Sequence, residues 1–293
     1  MWFKQAQFFK LDHSIDTDTL EDDLEKLSFT PCLTGLPLSQ GWIPPADEED
    51  TSMVYEVQGF LLICLQTEAK LIPAKIVRQK LNETIKKLQS TQDRKLSSKE
   101  KFNLKQEIYN KLLPQAFSVL YRDYALIDTK NNWLILNTNS LKYTENFINF
   151  FKRSVNKIKL ISPEIKKVSP ILTKWLDQHP KTFAIEDACV LQNPKNPEKI
   201  IRIQRQDLSA NYLQALLKNN FEVYQIKITW NDQITCVLKN DFTLQSIQYH
   251  DSVIETADKS DAEENSFRAD FFIMSGVLTK MFQDLLKLFA KDK

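Results

Sequence analysis

Three strand-like segments at 222–230, 233–239 and 243–249, joined only by short polar links at Asn231-Asp232 and Asn240-Asp241, constrain this chain most. Links of two or three residues reverse a chain but cannot carry a helical crossover, so these strands must pair antiparallel, as a meander. Segments 117–127 and 133–136 repeat the pattern around Lys130-Asn131-Asn132. Helical periodicity alternates with these hairpins. Leu20, Leu24 and Leu27 share one face of a helix over 16–27, and Val77, Leu81, Ile85 and Leu88 form a stripe spaced four, four and three. Ser97 and Glu100 have capping-box spacing, which opens a second helix with Leu104, Ile108 and Leu112 inward and Pro114 at its end. Further helices are expected over 140–153, from Asp207 or Ser209 to Asn219, and over 269–289. Strands are expected at 2–11, compatible with a sheet edge, and at 200–206, and 53–65 reads as a strand or a hairpin with Gly59 at a bend. The stretch between 154 and 199 reads as a basic, proline-broken region. The fold class is therefore α+β, antiparallel sheets interleaved with helices, without an internal repeat.

Charge is distributed unevenly along this path. The whole chain is almost neutral at +1, yet residues 70–111 hold 12 basic and four acidic residues, a local net of +8. Residues 11–56 carry one basic against 12 acidic residues, 152–205 carry 12 against five, and 251–270 carry two against seven. Two basic stretches alternating with two acidic ones point to a positive face and a polyanionic partner.

Several function classes are disfavoured. Only four glycines occur, and GxGxxG and GxxxxGK are absent, so the usual phosphate-cradling loops are missing. Cys32, Cys64, Cys189 and Cys236 lie far apart, and Cys64 and Cys236 sit in apolar runs as small buried hydrophobes. His13, His179 and His250 have no neighbours at ligand or triad spacing, and His179 and His250 are expected at the surface. The nearest nuclease-like fragment, Glu164-Ile165-Lys166, does not look like part of a central strand, and the carboxylates at 47–50 and 261–264 fall in loop-like segments. No catalytic residue, metal or cofactor is predicted. No apolar run approaches the ~18 residues of a membrane helix, and the expectation is a cytoplasmic binding protein.

Lysine and arginine side chains neutralise phosphates and release counterions without reading sequence. Lys75, Arg78, Lys86 and Lys87 surround the apolar stripe of the first basic helix and suit that task. In the strand at 200–206, alternation places Arg202, Gln204 and Gln206 on one face, with Ile203 and Arg205 on the other. A strand end can break the alternation and free either arginine. No recognition helix, zinc finger or aromatic RNA-binding signature accompanies these charges.

Eight blocks, in order, resemble those of the recombination-associated RdgC family. They are Met1-Trp2-Phe3-Lys4, Phe29-Thr30-Pro31-Cys32, Gly41-Trp42-Ile43-Pro44-Pro45, Ile72-Pro73, Leu112-Leu113-Pro114-Gln115-Ala116-Phe117-Ser118, Ile127-Asp128-Thr129, Arg205-Gln206-Asp207-Leu208 and Phe267-Arg268-Ala269-Asp270-Phe271. The resemblance spans essentially the full length. It implies a single unit over 1–293 with approximate lobes 1–70, 71–160 and 161–293, an elongated subunit of a ring-shaped homodimer. It further implies a nucleoid-associated protein that binds DNA (duplex first, single strands as an alternative) and restrains RecA-promoted strand exchange, without a membrane partner. Arg205 and Gln206 match a family block usually written with lysine first, and are expected to face DNA with Arg202, Lys75, Arg78, Lys86 and Lys87. Gln115 stands where the family often has a basic residue. Phe117, just past Pro114, is either a subunit contact or a core side chain. Two alternatives remain: an interaction protein that contacts the recombinase through its acidic segments, and a metal-dependent nuclease.

Overall fold

The computed structural model describes residues 1–46, 51–92, 94–155, 157–208, 211–258 and 266–290. The carboxylates at 47–50 and 261–264 and the candidate cap Ser209 lie outside them. In chain order the first elements are β1 (Gln7–Leu11), α1 (Thr17–Glu25), β2 (Leu38–Ile43), β3 (Tyr55–Val57) and β4 (Phe60–Leu71). The basic helices α2 (Ala74–Gln92) and α3 (Ser98–Leu112) follow, then β5 (Phe117–Asp128), β6 (Trp133–Leu136), α4 (Leu141–Ser154) and β7 (Leu160–Ile161). The last third holds α5 (Val168–Trp175), β8 (Phe183–Asn193), β9 (Asn196–Gln204), α6 (Asn211–Lys218), β10 (Glu222–Trp230), β11 (Ile234–Lys239), β12 (Leu244–Tyr249), α7 (Asp251–Asp258) and α8 (Ser266–Phe289). The fold is α+β with antiparallel sheets, as the short polar turns require.

The chain divides into two compact units, one of Met1–Asp23, Pro44–Ile63 and Asp123–Lys293, the other of Leu24–Ile43 and Cys64–Arg122. In the larger unit, β1 pairs with β6 on one side and with β7 on the other, and β6 pairs with the end of β5. Strand β1 starts at Gln7, later than its aromatic content predicts, and only the two residues of β7 shield its outer edge. A second sheet runs β12-β11-β10-β8-β9. The expected meander is there, with Asn231 and Asp232 both at positive φ (45° and 52°), the geometry of a type I′ turn. Gln58 and Gly59 (φ 52° and 89°) make the same turn between β3 and β4.

Helix α8 forms the core of this unit. Phe271, Met274, Leu278, Met281, Phe282, Leu285 and Phe289 are fully buried along it. Phe8 of β1 stacks on Phe282 at 3.7 Å, and Trp133 of β6 meets the same ring edge-on at 4.8 Å. From the second sheet, Phe242 packs on Phe282 and Phe289, and the Trp230 indole donates to Asp284 at 3.3 Å. Phe242 adopts φ 65°, costly for a bulky side chain, and its ring is held by these two contacts. The backbone bridge Ala6–Leu244 joins the neighbourhood of β1 to β12.

The region expected to be irregular, 154–199, contains β7, α5, all of the interior strand β8 and the start of β9. Strand β8 hides from a period-two reading because of a bulge. Between the pairs Ile226–Cys189 and Ile228–Ile185 it carries three residues, 186–188, against the single Lys227. Helix α7 was likewise not anticipated. Cys64, Cys189 and Cys236 are buried, and burial pushes the Cys189 thiol up to about 11. No helix of the described residues is long and apolar enough to cross a membrane.

In the smaller unit β2 pairs with β4 from Leu38–Ala69 to Ile43–Cys64. The segment at Leu27–Phe29 closes on Trp42, which is fully buried: Phe29 N–H donates to the Trp42 carbonyl at 2.8 Å, and Trp42 N–H donates to the Leu27 carbonyl at 3.0 Å. A Cβ on Gly41 would lie 2.2 Å from Phe29 Cα, so the approach requires glycine. Helix α3 starts with the expected capping box: Glu100 N–H donates to Ser97 Oγ, and Ser97 N–H donates to Glu100 Oε2 at 2.8 Å. Arg94 adds two hydrogen bonds to the same carboxylate, and chiefly for that reason the Glu100 carboxyl is held at about 2. The helix ends at Leu112 and a single 3-10 turn over Leu113–Gln115 carries Pro114.

Gly41→Ala is expected to destabilise the protein by about 3 kcal/mol, because backbone and not a flexible side chain must move; denaturant titration measures it. Ser97→Ala is expected to cost about 1 kcal/mol locally, read as roughly fivefold faster hydrogen exchange in the first turns of α3. The Glu100 carboxyl falls from the usual 4.5 to about 2 on folding, so its stabilisation is complete above pH 4.5 and is lost as pH drops toward 2. Glu100→Gln should abolish that pH step in α3 protection.

Candidate nucleic-acid interface

The predicted site residues fall into two groups, one in each unit. In the smaller unit Lys75, Arg78, Lys86 and Lys87 all lie on α2 and are exposed. The apolar stripe explains their orientation: Val77 is buried, Leu81, Ile85 and Leu88 are half-buried, and Ile108 of α3 is buried. Lysines of α3 at 99, 101, 105 and 111 are exposed as well. Between the helices runs a groove of about 550 Å³, floored by Val77, Leu81 and Tyr109 and rimmed by Arg78 and Lys105.

Phe117 opens β5 and is 85 % exposed, which overturns its reading as a core side chain. Leu120 and Tyr121 on the same strand are exposed too.

In the larger unit β9 forms the edge of the second sheet. Alternation holds through Gln204: Ile203 is buried at 7 %, while Arg202 and Gln204 are exposed. Strand β9 stops there, and Arg205 takes a left-handed conformation at φ 55°. Arg205 and Gln206 are consequently both exposed, and neither follows the strand's two-faced pattern. Both line a cleft of about 570 Å³ with His179, Glu186, Asp187 and Asp207. Gln206 N–H donates to the Asp187 carbonyl at 3.2 Å. The Asp187 carboxylate accepts from Lys227 at 2.9 Å and is held below the usual carboxylate range, first by that hydrogen bond, with the Arg205 charge contributing.

Sequence reasoning missed Lys227, its partner Asp187 and the neighbouring Glu186, since β8 itself was missed. His250 is also not a simple surface residue. Its Nε2 lies 2.8 Å from Thr235 Oγ1, which is 2.7 Å from Thr229 Oγ1, whose hydroxyl donates to Glu186 Oε1 at 2.6 Å. Because the carboxylate only accepts, the chain runs one way and His250 donates from Nε2. Glu164 is exposed, and Ile165 forms an isolated bridge with Ala290, outside either sheet. Among the described residues no three or more His, Cys, Asp or Glu side chains converge as a metal site.

A sequence model of the RdgC family, described as "Putative exonuclease, RdgC", matches residues 1–292. Curated relatives carry the name recombination-associated protein RdgC. The chain is 27% identical to that of Sodalis glossinidius (98% of this chain, 96% of the relative) and 28% identical to that of Halorhodospira halophila (100% and 99%). It is 29% identical to that of Psychromonas ingrahamii, again over 100% and 99% of the two chains. With the family model matched over residues 1–292 and these relatives aligned end to end with the chain, it is a member of the RdgC family of recombination-associated proteins.

Proposed function

We propose that this protein binds DNA without marked sequence preference, as a homodimeric ring around the duplex, and that it restrains RecA-promoted strand exchange during recombination. The observation that carries the reading is charge placement. A chain with a net charge of only +1 exposes the lysines and arginines of α2 and α3 on one unit, and Arg202 and Arg205 on the other. Its acidic residues cluster elsewhere in the sequence, mainly at 11–56 and 251–270. Lys75, Arg78, Lys86, Lys87, Arg202, Arg205 and Gln206 are the proposed DNA-facing residues, and Phe117 a proposed subunit contact. Exposed aromatic side chains are favoured anchors in such contacts. The reading implies association with the nucleoid in the cytoplasm.

Contacts of this type are phosphate contacts. If six to ten are made, affinity should fall by roughly 10³–10⁵ between 50 and 200 mM salt. Replacing Lys86 and Lys87 by glutamine should weaken all duplex sequences alike and flatten the log–log salt dependence by about 2. Fluorescence anisotropy on unrelated duplexes measures both. Affinity that barely responds to salt would sink the electrostatic reading. Inhibition of the recombinase that survives loss of DNA binding would favour direct contact with the recombinase. Mg²⁺-dependent degradation of DNA by pure protein would instead favour a nuclease.

A further inference from the structure

The second sheet contains an irregularity that its buried face does not need. At the β8 bulge the three residues 186–188 pass the single Lys227 of β10. Bulges re-aim side chains, and here two consecutive carboxylates reach different partners. Glu186 accepts from the Thr229 hydroxyl at 2.6 Å, and Asp187 from the Lys227 ammonium at 2.9 Å. On the neighbouring strand the left-handed turn at Arg205 puts the Gln206 amide on the Asp187 carbonyl. Asp187 is thus gripped through its main chain on one side and through its carboxylate on the other.

The Lys227–Asp187 pair is open to solvent, with side-chain exposures of 34% and 46%. Open pairs of this kind hold weakly and yield to a competing anion. Arg205 and Asp187 line the same cleft, and the arginine's charge acts on the carboxyl. Arg202 and Lys227 also line one shallow hollow on the exposed face of the sheet. Cations at these positions match a phosphodiester, which offers two charged oxygens where the aspartate offers its carboxylate.

We propose that Lys227 and Arg205 form a phosphate subsite whose occupant in the free protein is the Asp187 carboxylate, which a backbone phosphate of DNA displaces. Asp187 is then a built-in competitor that keeps affinity low and lets the protein leave one stretch of DNA for another. The inference rests on the DNA-binding reading above and adds to it a ligand, Lys227, and a restraint, Asp187.

The test is duplex binding by full-length variants across a salt series. Asp187→Asn should tighten binding roughly threefold to tenfold at low salt, and Lys227→Gln should weaken it and flatten the log–log slope by about 1. Lys227→Arg should retain binding, which separates a lost contact from a damaged sheet. Glu198→Gln, an exposed carboxylate on β9, controls for the general loss of a negative charge. The proposal is overturned if Asp187→Asn gains no more than Glu198→Gln, or if Lys227→Gln changes neither affinity nor slope while Arg205→Gln weakens binding. If Arg205→Gln also leaves binding intact, the failure belongs to the DNA-binding reading of this surface.

Discussion

The larger unit depends on burying α8 between two sheets. Phe282 alone meets Phe8, Trp133 and Phe242, so one ring ties β1, β6 and the β11–β12 turn to the helix. Truncating a ring of this kind typically costs 3–5 kcal/mol. The buried face of the second sheet, with Leu191, Ile203, Ile226, Ile228 and Cys236, is thereby committed to the core. Its other face has nothing comparable to bury, and polar side chains occupy it: Arg202, Gln204, Gln225 and Lys227. The exposed cations of this unit are a consequence of where the helix packs.

The smaller unit reaches a similar result with less apolar material. Among the described side chains of α2 and α3, few are buried, Val77 and Ile108 among them. The helix pair is helped by its capping box, and Arg94 closes on the same Glu100 that caps α3. One arginine and one carboxylate thus serve structure, and the remaining lysines are left for the solvent face. The two units also differ in their charge. In the groove between α2 and α3, Arg78 and Lys105 stand among apolar and neutral polar residues, whereas Arg205 shares its cleft with Glu186, Asp187 and Asp207.

Much of this was legible in the sequence for physical reasons. The turn at Asn231-Asp232 uses residues that tolerate positive φ, so its hairpin could be read from sequence, and Gly59 marked the bend between β3 and β4. The box from Ser97 to Glu100 is a local interaction and survives any tertiary setting. Strand β8 was not legible, because three residues at 186–188 face one and break the alternation that betrays a strand. With β8 went Glu186, Asp187 and the significance of Lys227. Helix α8 looked amphipathic in sequence, but it is enclosed from more than one direction. Phe117 could not be assigned from sequence, since apolar side chains look alike whether covered or bare; its 85 % exposure decides against the core. The exposure of Arg205 depended on where β9 ended, which alternation alone does not reveal.

Membership of the RdgC family gives the chain a setting in recombination, and the proposed ring gives its basic surfaces a geometry. Those two claims meet in one measurement. Protein loaded on a closed circular duplex is challenged with high salt, which removes phosphate contacts but not a topological link, and its release is followed before and after the circle is cut once. A ring predicts slow release from the closed circle and prompt release from the linear form. Equal release from both would contradict encirclement and leave an open groove as the binding geometry.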